Sequence, residues 1–105
     1  MRGTAASPGV GEGTARIVSH PDDFARVRAG DVLIAATTTP AWTPLFPSLA
    51  ALVTDTGGIL SHAAVIAREY GIPAVVGAVS ATAVIPDGSR VRVDGDTGLV
   101  TLVGP

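Results

Sequence analysis

Ala50-Ala51-Leu52-Val53-Thr54-Asp55-Thr56-Gly57-Gly58-Ile59-Leu60-Ser61-His62-Ala63-Ala64-Val65-Ile66-Ala67-Arg68-Glu69-Tyr70-Gly71-Ile72-Pro73-Ala74-Val75-Val76 is the stretch whose reading decides the fold. Ala50 to Thr54 is an apolar run of strand length, suited to burial on both faces. Thr56 to Leu60, with its paired glycines, breaks regular structure. From Ser61 to Tyr70 small and apolar residues take a helical pattern. Gly71 is placed to end that helix in the left-handed conformation, and Pro73 prevents its continuation. Ala74-Val75-Val76 then returns as a short buried strand.

The flanks read as more sheet. Ser7 to Gly13 is predicted to be a turn-rich opening, followed by a strand over Thr14–Val18. Pro21 to Val27 predicts one or two helical turns, with Ser19 or His20 near the N-cap, Pro21 at the first position and Gly30 beyond the end. Val32 to Ala36 is another buried strand. Thr37 to Pro47 holds Pro40, Pro44 and Pro47 and predicts a loop with a helical turn. Val84 to Pro86 leads into the turn Asp87-Gly88. Ser89 to Asp94 alternates, with Val91 and Val93 on one side, and forms a hairpin with Leu99 to Val103 across the turn Gly95–Gly98. The expected fold class is α/β: a compact mixed sheet carrying one principal helix after the Gly-Gly segment. Residues 1–105 read as one domain, which suits the length.

Composition narrows the function. Only 4% of residues are aromatic against 47% hydrophobic, so the core must be built from Val, Ile, Leu and Ala. The net charge of -2, without a run of either sign, argues against a nucleic-acid surface. All 7 basic residues are arginine, which excludes lysine chemistry within this chain. With no cysteine, thiolate zinc sites and disulfides are ruled out. No apolar run approaches the ~20 residues of a membrane span, and residues 1–7 lack the apolar stretch of a signal peptide. The expectation is a cytoplasmic protein with neither a membrane nor a nucleic acid as partner.

The chemistry concentrates where the strand ends and the helix begins. Helix N-termini present unpaired N–H groups and partial positive charge, which together favour anions. Gly57 and Gly58 let backbone approach a bulky ligand and adopt positive φ. Thr56 and Ser61 carry hydroxyls able to donate to phosphate oxygens. The helix dipole favours the neutral, nucleophilic imidazole at His62. Local chemistry alone leaves two readings of His62 open, a helix-start cap and a nucleophile.

The segment Gly57 to Gly77 resembles the phosphohistidine signature of phosphoenolpyruvate-utilising enzymes, which include phosphoenolpyruvate synthase, pyruvate phosphate dikinase, enzyme I of the sugar phosphotransferase system and rifampin phosphotransferase. Ala6-Ser7-Pro8-Gly9 with Gly13 resembles the opening of their mobile domain, Gly30-Asp31-Val32-Leu33 its central strand, and Asp94-Gly95 with Gly98 its closing hairpin. The resemblance implies a swivelling β/β/α domain in which His62 accepts a phosphoryl group in one active site and delivers it in another, with Thr56, Gly57, Gly58 and Ser61 flanking the phosphate. It implies an ATP-grasp nucleotide-binding domain as donor, and a pyruvate/phosphoenolpyruvate barrel or other domain as acceptor. Mg²⁺ and ATP are expected in those partner domains, with no cofactor or metal in this one. Arg68-Glu69-Tyr70-Gly71 resembles the rifampin phosphotransferase type, whereas Ser61-His62-Ala63-Ala64 leans to the synthase. The family's enzymes are much larger. The chain is therefore expected to be an excised domain or a free-standing phosphocarrier, with a non-catalytic interaction domain as the rival from another class.

Other residues read as structural. His20 with Asp22 and Asp23 could be taken for a metal cluster, but helix-start capping explains the same residues. Ser61 and His62 are helix neighbours that do not face each other, and no G-x-S-x-G elbow is present, so a serine hydrolase is not supported. Trp42 reads as a loop aromatic covering the core, and Arg68 as structural on a helix face away from His62. Glu69 lies too far along the helix for a general base.

Overall fold

In a computed structural model the described residues are 1–103. Seven strands are found: β1 (Thr4–Ser7), β2 (Val10–Ile17), β3 (Val32–Ala35), β4 (Ala51–Thr54), β5 (Ala74–Val76), β6 (Arg90–Asp94) and β7 (Leu99–Leu102). Helix α1 (His62–Tyr70) joins β4 to β5, and the short α2 (Ala81–Val84) follows β5. Two 3₁₀ helices, Pro21–Arg26 and Pro40–Ser48, make the other crossovers. The strand order is β1-β5-β4-β3-β2-β6-β7. The four central strands, β5, β4, β3 and β2, are mutually parallel, while β1 and the β6–β7 pair run antiparallel to their neighbours.

Period-two alternation sorts the central strands into two cores. Leu33, Ala35, Leu52, Ala74 and Val76 face α1 and the Pro40–Ser48 helix, where they meet Phe46, Ala63, Ala64 and Ala67. Val32, Ile34, Ala51, Val53 and Val75 face the other way and meet Val91, Val93 and Val100 of the hairpin with Ala81 and Ile85 around α2. The sheet therefore curls over on itself between β2 and β6, giving layers of helix, parallel sheet and hairpin. With both faces covered, β3 and β4 are wholly buried, as uninterrupted apolar runs require. Trp42 lies over the first core against Phe24, ring centroids 5.2 Å apart.

The outer strands meet. Arg2 bridges to Leu99, the Gly3 amide donates to the Gly98 carbonyl (2.8 Å) and the Val100 amide to that of Met1 (2.8 Å), so the stretch ahead of β1 is joined to β7.

The structure corrects three expectations. The opening turns only at Pro8-Gly9: Thr4–Ser7 is β1, and β2 starts at Val10, so Gly11 and Gly13 lie inside a strand. They are small because the carbonyls of Ala50 and Gly30 lie where a side chain would stand. The predicted loop Thr37–Pro47 contains a nine-residue 3₁₀ helix. Helix α2, unpredicted, is held by Asp55, whose carboxylate accepts from the Thr82 amide (2.9 Å) and hydroxyl (2.6 Å).

Candidate functional site

α1 has the ends its sequence implies. The Ser61 hydroxyl oxygen accepts from the Ala64 amide (3.3 Å) as N-cap, and Gly71 closes the helix at φ 69°, ψ 31°. His62 is thus the first helical residue. The loops leaving β3 and β4 meet beside it, at the carboxyl ends of the parallel strands, where open α/β sheets place their ligands.

The imidazole is held from two sides. Nδ1 lies 3.0 Å from the Oγ1 of Thr38, a buried residue in the loop after β3. The ring of Phe46 packs edge-on against it, centroids 6.4 Å apart at 63°. Nε2 has no hydrogen-bond partner among the described residues. When the Thr38 oxygen accepts, Nδ1 carries the hydrogen and Nε2 keeps the lone pair a nucleophile needs.

The loop before His62 is pinned. The Ser61 amide donates to the Gly58 carbonyl (3.0 Å). Arg68, two turns along α1, reaches back with Nη2 to the Ile59 carbonyl (2.7 Å) and with Nη1 to the Ala6 carbonyl on β1 (2.9 Å). The structural reading of Arg68 is correct in kind, and its target is the site loop itself.

The predicted site residues divide. Gly57 has φ +103°, and a Cβ there would stand 3.0 Å from the Ser61 side chain; Gly58 has neither a left-handed φ nor a crowded Cβ position. The conformational need for glycine therefore rests on Gly57. The Ser61 hydroxyl uses its oxygen for the cap, which leaves its proton free to donate. Thr56 Oγ1 donates to the Ala36 carbonyl (2.9 Å), so in this arrangement its proton fastens the exit of β4 to that of β3. The amides of Gly57, Gly58, His62 and Ala63 have no protein acceptor among the described residues. That is the donor set an anion would use.

Sequence reasoning missed Thr38. The run Thr37-Thr38-Thr39 marked it as polar, but nothing local tells which of the three faces a histidine 24 residues away. The capping role of His20 is found: its Nδ1 accepts from the Asp22 amide at 3.2 Å. No group of three His, Cys, Asp or Glu residues placed to hold a metal ion occurs among the described residues, and the loop around His62 offers amides and hydroxyls, not metal ligands. No helix among them is long and apolar enough to cross a membrane.

The described residues thus form a β/β/α domain with a histidine opening the helix that follows a glycine loop. The chain belongs to the family described as PEP-utilising enzyme, mobile domain, whose family model matches residues 27–98. It is 52% identical over 101 residues to "Uncharacterized phosphotransferase YvkC" of Bacillus subtilis (strain 168), 50% identical over 101 residues to a rifampicin phosphotransferase of Bacillus cereus, and 46% identical over 102 residues to a probable phosphoenolpyruvate synthase of Staphylothermus marinus. Each match covers 95–96% of this chain but only 12% of the relative, so the chain spans about an eighth of their length. Among solved structures it is similar to an enzyme I protein (solution NMR), with a TM-score of 0.65 and 36% identity, covering 75% of this chain and 33% of that one. The relatives are thus enzymes much longer than this chain, which corresponds to one domain of them.

Proposed function

We propose that the domain carries a phosphoryl group on Nε2 of His62, taken in one active site and surrendered in another. One observation supports this above the rest: Nδ1 is engaged by Thr38, while Nε2 has no partner among the described residues. In the forward step the Nε2 lone pair attacks the donor's phosphorus, the N–P bond forms, and the P–O bond to the leaving group breaks with its electrons going to that oxygen. Positive charge develops on the ring, and the Nδ1–H bond to Thr38 strengthens as it does so. The amides of Gly57, Gly58, His62 and Ala63 and the Ser61 hydroxyl bind phosphoryl oxygens. The reverse sequence delivers the group to the acceptor.

Mg²⁺ and ATP belong to a nucleotide-binding body of ATP-grasp type, and the acceptor body is a pyruvate/phosphoenolpyruvate barrel or an antibiotic-binding domain. The rifampicin phosphotransferase and synthase relatives support either acceptor. The isolated domain does not turn over, because positioning and charge stabilisation, the larger share of phosphoryl-transfer catalysis, come from those bodies.

The test is a chimera of the Bacillus cereus relative in which the matched segment is replaced by this chain. Incubation with ATP and Mg²⁺ is expected to give one acid-labile, base-stable phosphate on the grafted domain, absent from His62→Ala. Retention of that label in His62→Ala, or its appearance on His20, would overturn the assignment.

A further inference from the structure

The loop ahead of His62 carries two large apolar side chains in solvent. Ile59 is 55% exposed and Leu60 85%; Val65, one turn beyond His62 on the same face of α1, is 39% exposed. They are not exposed through looseness. The Arg68 guanidinium holds the Ile59 carbonyl, and the Ser61 amide closes a turn onto Gly58. An ordered, protruding leucine directly after two pinned carbonyls is preorganised to bury itself in something else.

The arginines are already engaged or lie elsewhere, and the one on the His62 helix, Arg68, is taken up by the Ile59 and Ala6 carbonyls. Arg16 pairs with Asp31, Arg26 with Asp87, Arg90 and Arg92 with Glu12, while Arg2 and Arg68 serve backbone carbonyls. Arg28 lies before β3, at the opposite end of the strand from Thr38 and His62. A phosphoryl group on His62 therefore finds amides and hydroxyls in its own loop, and direct pairing with a further cation falls to the body the domain docks against.

We infer that Ile59, Leu60 and Val65 form an apolar anchor that docks the unphosphorylated domain on the phosphoryl-donor body, whose complement is an apolar collar around a cation-lined site. The inference rests on the carrier reading of His62. The chain is an eighth the length of its relatives, so the donor site lies in a body outside it, and these side chains flank His62 on the loop and helix that would meet that body. The donor is favoured over the acceptor because the domain approaching it carries no phosphoryl group whose charge could draw it in. After transfer the phosphoryl group itself supplies the attraction to the acceptor.

The test uses this chain in trans with the Bacillus cereus relative lacking the matched segment, plus ATP and Mg²⁺. The initial rate of label appearance is measured against the concentration of the chain. Leu60→Ser is expected to raise the half-saturating concentration about tenfold with the plateau kept within about twofold, an effect of hot-spot size. Leu60→Met is expected to restore the unsubstituted value, and Leu102→Ser, the same change at another exposed leucine, on β7, to leave it unmoved. An unchanged half-saturating concentration in Leu60→Ser would overturn the anchor and leave the His62 assignment standing. Failure of the unsubstituted chain to take label at any concentration would also overturn it, while the chimera decides separately on His62.

Discussion

Thr38→Val removes the hydroxyl that holds His62 and keeps nearly the same shape. Thr38 is 5% exposed, and its Oγ1 lies 3.0 Å from Nδ1. Before transfer the bond joins two neutral groups, worth about 1 kcal/mol net. As Nε2 gives its lone pair to phosphorus, the ring becomes cationic and the bond charge-assisted, roughly twice as strong. Only the difference, about 1 kcal/mol, accelerates the reaction, since an interaction equal in ground and transition states does not. The expected loss is therefore about fivefold in the rate of His62 phosphorylation, at about 1.4 kcal/mol per decade. Single-turnover labelling at saturating donor measures it. Thr38→Ser is expected to recover most of the rate, and imidazole ¹⁵N shifts are expected to show a single tautomer in the unsubstituted chain and a mixture in Thr38→Val. A Thr38→Val domain that is folded, takes label at the unsubstituted rate and keeps one tautomer would refute the reasoning.

Gly57→Ala is expected to destabilise by about 1–3 kcal/mol, through backbone strain at φ +103° and contact with Ser61, whereas Gly58→Ala is expected to cost under about 1 kcal/mol; urea midpoints compare the two. Arg68→Met forfeits hydrogen bonds to two carbonyls and is expected to cost about 1–3 kcal/mol. It should also raise hydrogen exchange in the 57–61 loop above that in β6. The Ile17 amide, opposed by partial burial and reinforced by Arg26, holds the Asp87 carboxyl below its usual range. A carboxyl depressed in the folded state stabilises fully above its unfolded value, about 3.9, and loses that contribution as pH falls through the folded value. Asp87→Asn is therefore expected to be less stable at pH 7 and to show a flatter loss of stability below about pH 4, read from denaturation midpoints across that window.

What the sequence discloses follows the range of the forces involved. α1 was legible to within a residue, because a left-handed glycine and a proline stop act within one turn of the end they bound; its start was read one residue early, at Ser61, which caps the helix. The buried strands β3, β4 and β5 were legible from apolar runs bounded by breakers. β1 and the first half of β2 were not, because glycines inside a strand look like turns until the neighbouring carbonyls that exclude a side chain are known. α2 is four residues long and depends on Asp55, which lies 27 positions away from Thr82. The site shows the same division. His62, Ser61 and Gly57 lie on one continuous stretch, whereas Thr38 enters from another crossover. The Thr56 hydroxyl, assigned to phosphate from its type, is turned to a carbonyl that only the parallel pairing of β3 and β4 brings near.

The junction between Arg2 and Leu99 bears on how such a domain survives its work. A body that travels between two stations must repeatedly shed its neighbours and meet water, and an open sheet would then offer a row of unpaired amides and carbonyls to any passing chain. Joining the first residues to β7 turns the sheet into a hoop and leaves little of that row to copy. With that edge closed, the backbone of the flanks is spent on the domain itself, and contact with other bodies falls to side chains.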